Sequence, residues 1–175
     1  MEPLVVVAYP SLRPEDAAWV RDFRARHDEL YFKLVDAHFT FVFPTSSLDA
    51  AELTAHVRAK ASGAGRIDFV LRCAAVWNDA TIPYWHVFLV PEEGFSAVVK
   101  LHDRLYEGVL ASELRLDLPF VPHMGIATSR DPYVCKALAS RINGEGISIA
   151  GTIRRLDIAA LEAQSVRTIE TVELG

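Results

Sequence analysis

The chain has 175 residues, enough for one sizeable core or for two small lobes sharing one, and too few for two independent domains. Apolar residues make up 51% and charged residues 23%, which excludes a disordered chain, and no apolar run is long enough to span a membrane. A formal charge of −5 argues against binding extended duplex nucleic acid, which rests on neutralising many phosphates; a locally basic cleft can still take one phosphate.

The start, Met-Glu-Pro followed by the valine-rich run Leu4 to Ala8, reads as a buried first strand rather than a signal peptide. Pro14 to His27 has helical spacing, with Ala18, Trp19 and Phe23 on one face and Pro14 in the first turn. His38 to Phe43 alternates as a strand. Phe39, Phe41 and Phe43 point one way, and His38, Thr40 and Val42 the other. Ser46 or Ser47 is expected to cap a helix carrying Ala50, Leu53 and Val57. Ile67, Phe69, Leu71, Cys73 and Ala75 alternate as a strand, and a turn around Asn78 to Pro83 leads into a second strand, Tyr84 to Val90, as a hairpin.

The pattern then restarts. A helix is expected from Phe95 to Val109, and a strand from Phe120 to Thr128. Asp131-Pro132 starts a helix bearing Val134, Leu138 and Ile142, which ends near Asn143-Gly144. Strands around Ile147–Ile153 and Val166–Val172 close the chain, and Arg154–Glu162 has no clear period. A shift of 85 residues carries His38 onto His123, Leu53 onto Leu138 and Val57 onto Ile142. A shift of 82 carries Trp19 onto Leu101 and Phe23 onto Leu105. The expected fold is therefore α+β: one bilobal domain, 1–175, of two pseudo-symmetric βαβ-type lobes, with facing antiparallel sheets around a central cleft and helices outside.

Each lobe offers one histidine strand. In His38-Phe39-Thr40-Phe41, imidazole and hydroxyl share a face, roughly 7 Å apart at Cα, while the phenylalanines anchor the other face. His123-Met124-Gly125-Ile126 repeats the arrangement with Gly125 in place of the hydroxyl. One His-x-Thr is weak evidence; two histidine strands at one offset predict imidazoles facing across the cleft. Two imidazoles can hold opposite protonation states near neutral pH, one removing a proton and the other protonating a leaving oxygen. That chemistry suits in-line displacement at a phosphodiester.

On these motifs the sequence resembles the two-histidine phosphoesterase superfamily, which includes the 2′-5′ RNA ligase-like proteins and cyclic nucleotide phosphodiesterases. The resemblance extends to the order of strands and helices, Pro122 before His123, and the Tyr84-Trp85-His86-Val87-Phe88-Leu89-Val90 strand. It implies His38 and His123 as acid and base, Thr40 and the Gly125 position as phosphate contacts, and no cofactor or metal. The implied substrates are 2′,3′-cyclic phosphates or 2′-5′ linked nucleotides and RNA ends. Gly125 departs from the pattern. The lost hydrogen bond to a charged group is worth about 1.5–3 kcal/mol, which leaves open a binding protein with little turnover, or a phosphodiesterase for a small non-RNA ester.

Tyr9, Tyr84, His86 and Arg130 are further candidates for substrate contact, and Arg115 and Lys33 for positive potential near the cleft. The expected partner is a small nucleotide or RNA terminus, with no membrane. Cys73 and Cys135 show no metal or redox spacing and read as reduced core thiols of a cytoplasmic protein.

Overall fold

The computed structural model describes residues 2–175. Its elements are β1 (Leu4–Ala8), β2 (Ser11–Leu12), α1 (Pro14–His27), β3 (Phe39–Thr45), α2 (Ala50–Ala61), β4 (Ile67–Asn78), β5 (Trp85–Glu93), α3 (Phe95–Leu105), a 3₁₀ turn (Gly108–Glu113), β6 (Met124–Ser129), α4 (Pro132–Glu145), β7 (Ile149–Ile153), β8 (Arg155–Leu161) and β9 (Val166–Glu173). They form a mixed α+β architecture with two antiparallel sheets, ordered β3-β1-β8-β9 and β2-β7-β4-β5-β6. No described helix is long and apolar enough to cross a membrane.

The two halves interlock. Helix α1, which leads into β3, packs on β6 of the other sheet, while α3, which precedes β6, packs on β3. One buried cluster therefore draws side chains from both sheets, including Phe39, Phe41, Phe69, Leu89, Met124 and Ile126. At about 25 cal/mol per Å² of apolar area, such burial is the main force holding the halves together.

The same irregularity occurs in both histidine strands. Val6 pairs with Val42 and Val7 with Thr40, so Phe41 is an extra residue in β3. Val87 pairs with Ala127 and Phe88 with Gly125, so Ile126 is extra in β6. A bulge of this kind breaks the alternation of faces. It corrects the expected facing of β3: Val42 lies in the core beside Phe41, and Phe43 turns to the cleft. A further shift between Leu71 and Cys73 exposes Cys73 and buries Ala74, so only Cys135 is a core thiol.

Other boundaries move for local reasons. The cap of α2 is Asp49, not Ser46 or Ser47: its carboxylate accepts from the Glu52 amide, and the Glu52 carboxylate accepts from the Asp49 amide. Helix α3 stops at Leu105, ahead of the left-handed Gly108. Helix α4 runs past Gly144 to end at Gly146, whose φ of 70° suits glycine. Its buried residues are Cys135, Ala139 and Ile142, with Val134 exposed. The segment without a period, 154–162, contains β8, which sits between β1 and β9 and is buried along nearly its whole length.

Candidate active site

A cleft of about 640 Å³ opens between the two sheets. One wall carries His38, Thr40, Val5 and Val7, and the other carries His123, Gly125, His86 and Phe88. Each imidazole belongs to the residue just before its strand, with Phe39 or Met124 fully buried behind it. The chain then holds both rings in the same way. His38 Nδ1 lies 2.7 Å from the Asp36 carbonyl oxygen, and His123 Nδ1 lies 2.6 Å from that of Val121. A carbonyl only accepts, so each Nδ1 donates and each Nε2 is left to face reacting groups. No described residue bonds either Nε2.

Burial lowers the affinity of both rings for a proton. For His38 this is the main cause. The bond to the Asp36 carbonyl opposes it, Arg24 adds to it, and Asp28 and Asp36 oppose it. For His123 burial is again the largest effect; it outweighs the bond to Val121 and, with His38 and His86 nearby, takes the ring down to about 4.

The second wall is built differently from the first. Phe88 stands opposite Gly125 where Val7 stands opposite Thr40. Its ring stacks on His123 with centroids 3.7 Å apart and planes 17° apart. A large residue beside a missing side chain thus replaces two medium ones.

A family model for the 2′-5′ RNA ligase superfamily matches residues 12–164. The chain belongs to this superfamily. The resemblance to the two-histidine phosphoesterases is thereby borne out. Among solved structures, apo LigT of E. coli is 15% identical with a TM-score of 0.63, over 99% of this chain and 97% of that one. E. coli LigT complexed with 3′-AMP is 16% identical with a TM-score of 0.60, over 99% and 98%. Usb1 of Kluyveromyces marxianus is 9% identical with a TM-score of 0.57, over 99% and 98%. These likenesses show a shared fold. No curated protein matches.

Of the residues singled out from the sequence of this superfamily member, the fold gathers His38, Thr40, His86, His123 and Gly125 along one cleft. Tyr9 is not among the cleft-lining residues; its ring is 6.1 Å from that of His38 and packs beside Val5 and Val7. Tyr84 and Arg130 are not among the cleft residues. They hold one another: Arg130 Nε donates to the Tyr84 hydroxyl at 3.1 Å, and the guanidinium lies 5.1 Å from the ring centroid. Lys33 is exposed outside the cleft, whereas Arg115 borders it, gripped by Asp117.

The sequence reading missed a buried polar group at one end of the cleft. Arg24 donates twice to Asp28 Oδ2, at 2.9 and 3.1 Å, and once to the Val35 carbonyl at 2.8 Å. Asp28 Oδ1 accepts from the Thr128 hydroxyl and from the Tyr31 amide. This ties the end of α1 to β6. The i,i+4 spacing of Arg24 and Asp28 was the available signal. Beside them, Asp79 Oδ2 sits 2.9 Å from His86 Nε2. Burial alone would raise Asp79, but bonds from the Thr81 hydroxyl and amide, His86 and the Ile82 amide more than offset it and bring it to about 2. Among the described residues no cluster of three or more His, Cys, Asp or Glu side chains is arranged to hold a metal ion.

Proposed function

We propose that this protein is a phosphodiesterase that opens a 2′,3′-cyclic phosphate, or cleaves a 2′-5′ linkage, on a nucleotide or RNA end without a metal cofactor. The observation that carries the reading is the matched tethering of His38 and His123, each with Nδ1 committed to a carbonyl two residues back and Nε2 free. One Nε2 takes a proton from water while the other gives a proton to the leaving ribose oxygen. The Thr40 hydroxyl donates to a non-bridging phosphate oxygen. At Gly125 only the backbone remains for that role. Because the rings are tied alike, acid and base are assigned by how the ester lies, and they exchange roles in the reverse reaction.

Related solved structures support a nucleotide-sized ligand: E. coli LigT occurs complexed with 3′-AMP, ATP, NADP+ or phosphate, and Usb1 with uridine monophosphate. The test is turnover of 2′,3′-cyclic AMP in the presence of EDTA, with phosphorus NMR to identify the product. Turnover that is lost in both His38→Ala and His123→Ala supports the proposal. Turnover that survives both changes removes these residues from the chemistry.

The asymmetry of the second wall favours a second reading, a nucleotide-binding protein with little turnover. Phe88 and Gly125 leave a hydroxyl at only one of the two motif positions, Thr40, where a second wall built like the first would supply another. Tight calorimetric binding of 3′-AMP without product from the cyclic ester selects this reading.

A further inference from the structure

Three imidazoles border the cleft, and the proposed chemistry uses two. The third, His86, shares the cleft-facing side of β5 with Phe88, its ring 5.3 Å from that of Phe88 and 6.1 Å from that of Tyr31, to which it lies nearly parallel. It is 7% exposed, so its setting is built rather than incidental.

Asp79 holds this ring by Nε2. The bond is not needed to close the β4–β5 turn, because Asp79 Oδ1 alone already accepts the Thr81 amide, the Thr81 hydroxyl and the Ile82 amide, at 2.7, 2.7 and 3.1 Å. Oδ2 is left for His86. An ionised carboxylate only accepts, so the proton of the neutral ring sits on Nε2 and the lone pair on Nδ1. This tautomer is the reverse of the one fixed in His38 and His123. No described residue bonds His86 Nδ1, and that atom is not sealed from solvent.

The surroundings indicate what Nδ1 would meet. Asp28 and Asp79 both border this end of the cleft, and Arg24 is already committed to Asp28 and Val35. An additional anion gains little there. A neutral group that donates a hydrogen bond gains a directed acceptor between aromatic faces. His86 also lies two residues along β5 from Phe88, roughly 7 Å at Cα. That places it one sugar or base away from the phosphate position rather than on the phosphate itself.

We infer that the Asp79–His86 pair is a second recognition point, at which His86 Nδ1 accepts a hydrogen bond from a ribose hydroxyl or nucleobase amino group of the phosphate ester. This rests on the reading of the cleft as a phosphate-ester site, but it is tested by binding alone. One hydrogen bond of this kind is worth roughly three- to tenfold in affinity.

The experiment compares 3′-AMP with inorganic phosphate by calorimetry at pH 8, for the unaltered protein, His86→Phe and Asp79→Asn. His86→Phe keeps an aromatic ring and removes the acceptor. Asp79→Asn keeps the turn acceptor but lets its amide donate to Nε2, which moves the ring proton to Nδ1. Thermal unfolding of each variant confirms a folded protein. The expected result is a roughly three- to tenfold fall of the ratio of 3′-AMP affinity to phosphate affinity in His86→Phe, matched in Asp79→Asn when the donor is the amino group, whereas a hydroxyl can accept from the relocated Nδ1 proton and keeps its bond in Asp79→Asn. Analogues of 3′-AMP lacking the adenine amino group or the ribose 5′-hydroxyl then show which donor is used, since the sensitive one loses its dependence on His86. An unchanged ratio in His86→Phe, or no 3′-AMP binding by the unaltered protein, overturns the inference. Loss of cyclic-ester turnover with an intact ratio effect would instead count only against the proposed catalysis.

Discussion

The Phe88 ring lies on the His123 imidazole at 3.7 Å and stands opposite Gly125 in the ladder between β5 and β6. The equivalent pair in the other sheet is Val7 and Thr40. Gly125 is therefore one half of a paired exchange of volume across two strands, and the empty position beside it is filled in part by an aromatic ring.

A Gly125→Thr change tests this exchange. A β-carbon there would meet the Phe88 ring at 3.8 Å, an ordinary contact, but the rest of a β-branched side chain has to share space with that ring. The single change is expected to leave kcat/KM on 2′,3′-cyclic AMP within about threefold or to lower it. Adding Phe88→Val recreates the pairing of the first lobe and frees the hydroxyl. The double variant is expected to gain about tenfold over Gly125→Thr alone, the worth of one hydrogen bond to a charged group. Additive effects in the double-mutant cycle would show that Phe88 and position 125 are not coupled.

Replacing His38 or His123 by Ala is expected to lower kcat by at least about a hundredfold, the lower end for a general acid or base. Asn substitutes at either position offer no proton-transfer group and should be equally poor. The measurement is initial rate over pH 5 to 9, with circular dichroism to confirm folding.

Much of this was legible in the sequence because both signals are local. The offset of 85 residues between His38 and His123 marks equivalent strand starts, and the apolar residues that follow each histidine fix its mounting. The extra residues Phe41 and Ile126 fall at the same offset, yet a bulge is invisible in hydrophobic pattern because both neighbours become buried. Strand β8 was hidden for a related reason: a strand covered on both faces does not alternate. The Asp79–His86 bond depends on the conformation of the β4–β5 turn, and the Thr128–Asp28 bond joins residues 100 apart in sequence, so neither has a local signature.

The Arg24–Asp28 pair is almost fully enclosed, with side chains 5% and 3% exposed. Removing one member leaves a charge without its partner, which is expected to destabilise the fold by about 3–5 kcal/mol. Arg24→Met and Asp28→Leu should each show this in urea unfolding. The two together should be less damaging than either single change, because no isolated charge then remains. Asp28→Leu additionally frees the Thr128 hydroxyl, so some loss should persist in the double variant.

Stability should also report the burial of His123. Its folded pKa is about 4, below the ordinary 6.5 of the unfolded chain. Between these values the unfolded state binds the proton and the folded state does not. Stability is then complete above pH 6.5 and declines as pH falls towards 4, by a few kcal/mol at most. His38, His27 and His102 are lowered by burial as well and act with the same sign. Asp79 has the opposite chemistry and a separate window: its stabilisation holds above about 3.8 and is lost towards pH 2. Urea unfolding at pH 7 and pH 4.5 should therefore show a drop in stability that His123→Gln reduces, since glutamine does not titrate and fills similar space. An unchanged drop in His123→Gln would place the acid sensitivity on the other buried imidazoles.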